Sequence, residues 1–414
     1  MAHSEACPVQ PGFDPLSPAF LEDPFAVMAA LPLREEPLFY APSIGYHVVT
    51  RHADIEAVFA DPATFSAAAA QLPLVALDDQ ARRILLDGGH TPQPSMVSLD
   101  PPEHTRLRRP TARAFSARRV AEMEPRVRAI LDDVLAGIDA SAPFDLVATL
   151  TFPLPATVVF SFIGVPPEDY EQLKAWCGSR ATLAWGRPEP GEQVEHARNM
   201  TAYRRYLREL VAAKARARGD DFAGALLAIH DEDPDALTHE EIASILFSLS
   251  FAGHETTNYL IGNALRRLLE EPERWAAVVA DPGLIAGAVD ETLRFDPSVP
   301  VWRRTVRRDT VLGGVRLAEG AKLFLWLAAA GRDPEVFSDP DTFDLHRSGA
   351  RHHLAFGKGI HFCVGSALGR LEARLAIAAL AERFPGLSLV PDQRLSFHPN
   401  ISFRGPQALW ATVS

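Results

Sequence analysis

The stretch His353–Leu380, HLAFGKGIHFCVGSALGRLEARLAIAAL, decides the reading of this chain. Cys363 lies in a loop that also carries Gly357, Gly359 and Gly365, and a strong helical pattern starts just after it. Glycines let a backbone adopt φ > 0 and approach a large flat group closely. The start of the helix would aim amide donors and a positive dipole at the sulfur, which favours thiolate. A thiolate held this way can act as a nucleophile or as a metal ligand. A lone intracellular cysteine, by contrast, is more often buried and inert. The pattern F-x-x-G-x-x-x-C-x-G, filled by Phe356, Gly359, Cys363 and Gly365, is a highly specific one.

Upstream, Thr238 followed by Glu241 has the form of a capping box. The helical pattern then runs without a breaker to Glu271, ahead of Pro272. Such a helix would be roughly 50 Å long at about 1.5 Å per residue. Its first half, IASILFSLSFA, is apolar nearly all round, which predicts a buried, central helix. Its middle nevertheless reads AGHETTN, Ala252 to Asn258. Polar groups at such a place are costly unless satisfied or used. Either they form an internal hydrogen-bond network, or small residues there admit a ligand that the polar ones handle.

Composition bounds the remaining choices. The chain has 414 residues, 47% of them hydrophobic and 23% charged, which excludes a disordered chain. A net charge of −12 argues against non-specific nucleic-acid binding. Three widely spaced cysteines, Cys7, Cys177 and Cys363, are no disulfide framework and fit a reducing, cytoplasmic location. The N-terminus shows no signal peptide, and no apolar run predicts a membrane anchor. Residues 1–15 read as a loose tail ahead of a single catalytic domain over residues 16–414. Strand candidates fall at Gly45–Thr50, Val311–Leu317, Leu323–Leu327 and near the C-terminus, while the chain from Ala112 onward is mostly helical. The expected fold is mainly α with small β-sheets.

At this point the chain resembles the cytochrome P-450 family of haem-thiolate monooxygenases, over nearly its whole length. The resemblance implies that haem b sits between the long helix and the Cys loop, with Cys363 as the axial iron ligand. Phe356 would pack beside the sulfur. Glu291 and Arg294 match the family's ExxR pair, and Arg347 in RDPEVFSDPDTFDLHR its third, structural member. One departure is Gly331, where the family often has Asn before Arg-Asp-Pro. AGHETT matches the oxygen-binding segment, with Glu255 as acid and Thr256 as alcohol of a proton-relay pair, and Ala252 and Gly253 leaving room for dioxygen. His254 has no fixed role in the pattern and is expected to face away from the pocket. His104 and Arg108, four apart on one helix face, together with Arg304 and His361, are implied as haem-propionate donors. Without that match each would be an ordinary solvated charge. The register of Arg304 stays open, with Arg303, Arg307 and Arg308 close by.

The chain is also similar to the haem domains of fused, self-sufficient bacterial members, without their reductase part. Electrons are therefore expected from a ferredoxin and its ferredoxin reductase. Arg106, Arg109, Arg113, Lys358, Arg370 and Arg374 would form a basic face for that acidic donor. The implied reaction is hydroxylation or epoxidation, using O2, of a hydrophobic small molecule from natural-product biosynthesis or catabolism. The substrate would be held by loops around Leu72–Met96, Ala181–Trp185, Val299–Trp302 and Ile401–Phe403 with few polar contacts. A peroxide-driven peroxygenase or an oxidative coupling enzyme is the neighbouring alternative. A non-haem metal site built from Cys363, His352, His353 and His361 is the alternative of a different class.

Overall fold

The computed structural model describes residues 7–89 and 95–413. Helix dominates, as the apolar periodicity predicts, and the sheets are small. Six helices and one sheet position the site. They are α1 (Glu103–Ala114), α2 (Pro153–Ile163), α3 (Ser179–Trp185), α4 (His239–Leu269), α5 (Ile285–Phe295) and α6 (Ser366–Arg383). The sheet comprises β1 (Leu38–Ala41), β2 (Tyr46–Val49), β3 (Phe65–Ser66), β4 (Val301–Val306) and β5 (Lys322–Trp326), in the order β1-β2-β5-β4-β3. Only the β2–β5 pair is parallel; the other pairs are antiparallel.

The long central helix exists as read. Thr238 and Glu241 close a reciprocal capping box, and α4 runs for 31 residues, about 46 Å. It is buried on most sides, against α2, α5 and α6 among others. The main apolar cluster lies around it and draws on Leu154, Phe160, Leu246, Leu265, Leu293 and Leu375.

The loose N-terminal tail is a misreading for residues 7–15; residues 1–6 lie outside the described ones. Gln10 N donates to Tyr40 O at 3.0 Å and Tyr40 N to Pro8 O at 2.7 Å, so the segment adds to the edge of β1. Phe13 is 2% exposed and meets Phe39, Phe324 and Trp326 at 5.4, 6.0 and 5.6 Å between ring centroids. Burying that aromatic surface outweighs the entropy of ordering a Pro- and Gly-containing segment.

The ExxR trio is a core element. Arg294 is fully buried and forks onto Glu291 with two bonds of 2.7 Å. It also donates to the carbonyls of Gly331, Pro340 and Thr342. Arg347 reaches Glu291 at 3.0 Å, and Asp344 N donates to the same oxygen at 2.9 Å. Every donor of this charged cluster that faces the protein finds an acceptor, which is what makes so deep a pair tolerable. Gly331, the departure from the family pattern, has its reason here, because a side chain at that position would collide with the Arg294 carbonyl oxygen. Among the described residues, no helix is long and apolar enough to cross a membrane.

Candidate active site

The Cys loop is shaped by two positive-φ glycines, Gly357 at 67° and Gly359 at 68°. At Gly359 the left-handed backbone and the adjoining Phe59 carbonyl both exclude a side chain. Cys363 N donates to Phe356 O at 3.0 Å, closing the loop, and α6 starts three residues on. At Gly365 a Cβ would sit 4.0 Å from the Cys363 sulfur, an ordinary contact. The amides at the helix start do favour thiolate, as expected, but burial opposes them. Burial pushes the Cys363 thiol up, and this outweighs the Gly365 and Ser366 amides and the charges of Arg108 and Arg370. In the bare chain the sulfur keeps its proton, and ligation by a metal cation is what would remove it. The Arg370 guanidinium lies 4.5 Å over the Phe356 ring and is itself held by Asp290 at 2.7 Å.

His104, Arg108, Arg304 and His361 converge beside this loop. The His104 and His361 rings are 4.3 Å apart, and neither nitrogen of His104 nor Nε2 of His361 has a hydrogen-bond partner. Among the described residues Arg304 donates only to the neighbouring Arg303 carbonyl, at 2.8 Å, and it lies over the Phe59 ring. Arg108 donates to Phe362 O at 2.5 Å. No carboxylate stands within ion-pair distance of either arginine among the described residues. Asp100, the nearest acid to Arg304, is occupied by Ser66, the Ala67 amide and Arg307. These cations repel one another. Burial, then Arg304, His104 and Arg108, hold His361 down to about 3, and burial holds Arg304 down to about 10. Two arginines and two histidines with orphaned nitrogens, buried or half-buried and with no acid between them among the described residues, fit an anionic group such as the two haem propionates.

Above the loop, α4 carries an open strip. Ser244, Ser248, Ala252 and Thr256, four residues apart, keep accessible surface in the middle of an otherwise buried helix. Ala252 is exposed there, in line with room for a guest. Gly253 answers to a different demand, since a Cβ would come within 2.8 Å of Val159 on α2; its smallness serves helix packing. Thr256 Oγ1 donates to Ala252 O at 2.6 Å. Glu255 points round the helix from the strip and is buried, its Oε2 accepting from Tyr259 Oη at 2.5 Å. Tyr259 in turn lies 5.3 Å from the His398 ring. Neither partner was among the expected site residues, although Tyr259 is four residues from Glu255, a spacing that brings side chains together. His254 faces away, edge-on to Phe152 at 4.5 Å.

The loops expected over the site are only partly open. Trp185, Ile401 and Phe403 are buried core, with Trp185 and Phe403 in edge contact at 4.9 Å, while Val299 and Trp302 stay partly exposed. Residues 90–94 of the Leu72–Met96 stretch lie outside the described ones. On the opposite face the basic patch is largely neutralised. Arg106 pairs with Glu241, Arg113 with Glu232, Lys358 with Glu56 and Arg370 with Asp290, so only Arg109 and Arg374 are exposed without an acid partner among the described residues. No cluster of three or more His, Cys, Asp or Glu among the described residues could hold a metal ion, which removes the support for a Cys363–His352–His353–His361 site.

The sequence model of the Cytochrome P450 family matches residues 284–400. Erythromycin C-12 hydroxylase of Saccharopolyspora erythraea is 37% identical over 369 residues, which cover 88% of this chain and 89% of that one. The chain belongs to the cytochrome P450 family. Solved structures of cytochrome P450 relatives superpose throughout. The cytochrome P450 CREJ in complex with (4-ethylphenyl) dihydrogen phosphate has a TM-score of 0.92 at 38% identity, with 97% of this chain and 99% of that one covered. An intact type IV self-sufficient cytochrome P450 monooxygenase has a TM-score of 0.93 at 35% identity, with 97% of this chain but 53% of that longer one covered. The likeness to part of a fused P450 is thus borne out. As a cytochrome P450 the protein is a monooxygenase of the haem-thiolate type.

Proposed function

We propose that this P450 holds haem b through Cys363 and oxidises a largely hydrophobic small molecule, of the kind elaborated in natural-product biosynthesis. The observation that carries the reading is the acid-free cluster of His104, Arg108, Arg304 and His361 beside the Cys loop. When bound, haem supplies the redox chemistry by which O2 and two electrons deliver one oxygen atom to a carbon of the substrate. The chain's own contributions are binding, shielding and proton handling. Arg108, Arg304 and the two histidines grip the propionates, and Phe356 and Arg370 roof the sulfur against water. Thr256 keeps its proton at Oγ1, on the edge of the open strip. Glu255, the neighbouring acid, resupplies it, with Tyr259 Oη fixing one carboxylate oxygen.

Electrons come from a separate donor, a ferredoxin reduced by a ferredoxin reductase, docking near Arg109 and Arg374. Relatives named as a hydroxylase and a fused monooxygenase support the oxygen-inserting route over a peroxide-driven one. The test is the spectrum of the reduced protein under carbon monoxide. A red-shifted Soret band is expected in the wild type and lost in Cys363→Ser. Folded protein with no haem absorbance would overturn the reading. Thr256→Ala is expected to keep the band and divert electrons to hydrogen peroxide; full coupling in that variant would remove Thr256 from proton delivery.

A further inference from the structure

Arg180, on α3, is a second charge without a counter-charge. Its guanidinium lies largely within the protein, and the residue keeps some accessible surface, as does its partner Ser248 on the open strip of α4. Its partners are all neutral. Nη2 donates to Gln71 Oε1 and to Ser95 Oγ at 3.3 Å, Nη1 donates to Ser248 Oγ at 3.4 Å, and the group lies 5.2 Å over the Phe247 ring. No acid pairs with it among the described residues, and burial alone pulls it down to about 10.

The surroundings are built rather than incidental. Ser95 and Ser98 both donate to Gln71 Oε1, at 2.7 and 3.1 Å, so one amide oxygen gathers three donors, two from the Ser95–Ser98 turn and one from α3. Gln71 is itself held from both sides. The buried Arg303 guanidinium donates to the carbonyls of Ala70 and Leu72 at 2.9 and 2.8 Å, and to that of Ala184 on α3 at 3.3 Å. This clamp fixes the loop that carries Gln71 to the helix that carries Arg180. Ser248, the third partner, belongs to the open strip of α4. It lies two turns before Thr256, about 12 Å along the axis.

We propose that Arg180 is a substrate-anchoring site for an anionic group, a carboxylate or a phosphate ester, on an otherwise apolar substrate. A buried arginine tolerates neutral acceptors but gains most from a bidentate oxyanion, which would replace the Gln71 and serine contacts with charge-assisted ones. With the anion at the level of Ser248, the carbon to be oxidised lies about 12 Å away along α4, beside Thr256. This departs from the expectation of a substrate held with few polar contacts. It rests on the oxygen-insertion site proposed above, and it narrows the substrate class for that site.

The test uses holoprotein whose reduced carbon monoxide spectrum shows the thiolate band, so that a failure of the haem reading is seen separately. Binding of 4-hexylbenzoate, 4-hexylphenyl phosphate and methyl 4-hexylbenzoate is measured by calorimetry, which reads binding whether or not the iron spectrum shifts. At least one of the two anions is expected to bind about tenfold or more tighter than the neutral ester, a charged hydrogen bond's share. Whichever anion binds tighter names the group the site prefers. Arg180→Met is expected to erase the difference while leaving the ester's affinity unchanged, and Arg180→Lys to keep part of it. Equal affinity of both anions and the ester in the wild type would overturn the proposal. So would an Arg180→Met variant that weakens acid and ester alike, since that is the signature of a purely structural arginine. If Arg180→Met yields no holoprotein, the wild-type comparison decides alone.

Discussion

Two buried arginine sites are built on opposite terms. Around Arg294 every donor meets an acceptor, a forked carboxylate or one of three carbonyls, and a second arginine donates to the same acid. Around Arg304 there is one carbonyl, two histidines with orphaned nitrogens, another arginine and no paired acid. A chain pays several kcal/mol to bury an uncompensated cation, so a site left open in this way is maintained only where something else completes it. The first site closes the fold, and the second fits the propionate-binding role proposed for it. The same contrast singles out Arg180, which is also buried among neutral partners.

The contrast fails if the two sites respond alike to loss of charge. Arg294→Met should cost the most, about 3–5 kcal/mol, because it strips Glu291 Oε2 of its partner in the core and leaves three carbonyls without their donor; thermal unfolding and the yield of folded protein report it. Arg304→Met should act with the opposite sign on haem-free protein, leaving its stability unchanged or higher. The same variant should lose haem about ten- to a hundredfold faster to an apo-myoglobin-type scavenger, the share of a charged hydrogen bond to a propionate. A drop in apo stability matching that of Arg294→Met would end the distinction.

Asp290 sharpens the comparison by linking the two regions. Burial raises its pKa, but Arg370 and Arg351 outweigh burial and the net shift is downward. A carboxylate held low stabilises the fold above its ordinary titration range, and that contribution fades as pH falls through the folded value. Asp290→Asn should therefore lower the melting temperature most near neutrality, and the deficit should shrink below about pH 4. A deficit independent of pH would show that the carboxylate's charge is not what matters. The smallest effect is expected at the surface. Arg109→Glu should slow reduction by a ferredoxin at low salt and have little effect at high salt, whereas Arg113→Glu, already facing Glu232, should do less.

Much of this was legible from one-dimensional spacing. The Cys loop, the capped long helix and the ExxR pair each sit within a few residues of one another, so local chemistry betrays them. What escaped depends on contacts between distant segments. Residues 7–15 look loose until Tyr40, Phe324 and Trp326 come to meet them. The basic face looked open because the acids that close it, Glu56, Glu232, Glu241 and Asp290, lie elsewhere in the sequence. Arg180 carried no signal at all, since Gln71, Ser95 and Ser248 gather round it only in the fold. Tyr259 was within reach of an i, i+4 reading, and Gly331 became intelligible only once the Arg294 carbonyl was seen against it.

The adjacent arginines of β4 have a consequence for how this enzyme can diversify. Successive strand residues project to opposite faces, so Arg303 clamps the loop around Gln71 while Arg304 lies on the other face, over the Phe59 ring, on the side proposed for the cofactor. Point changes at Gln71, Ser95 or Arg180 leave that division intact and can retune selectivity one residue at a time. A single-residue insertion or deletion within Val301–Val306 would exchange the two faces and disable both at once. Drift in substrate range is therefore channelled into substitutions of the surrounding loops, while the strand itself is held to a fixed length.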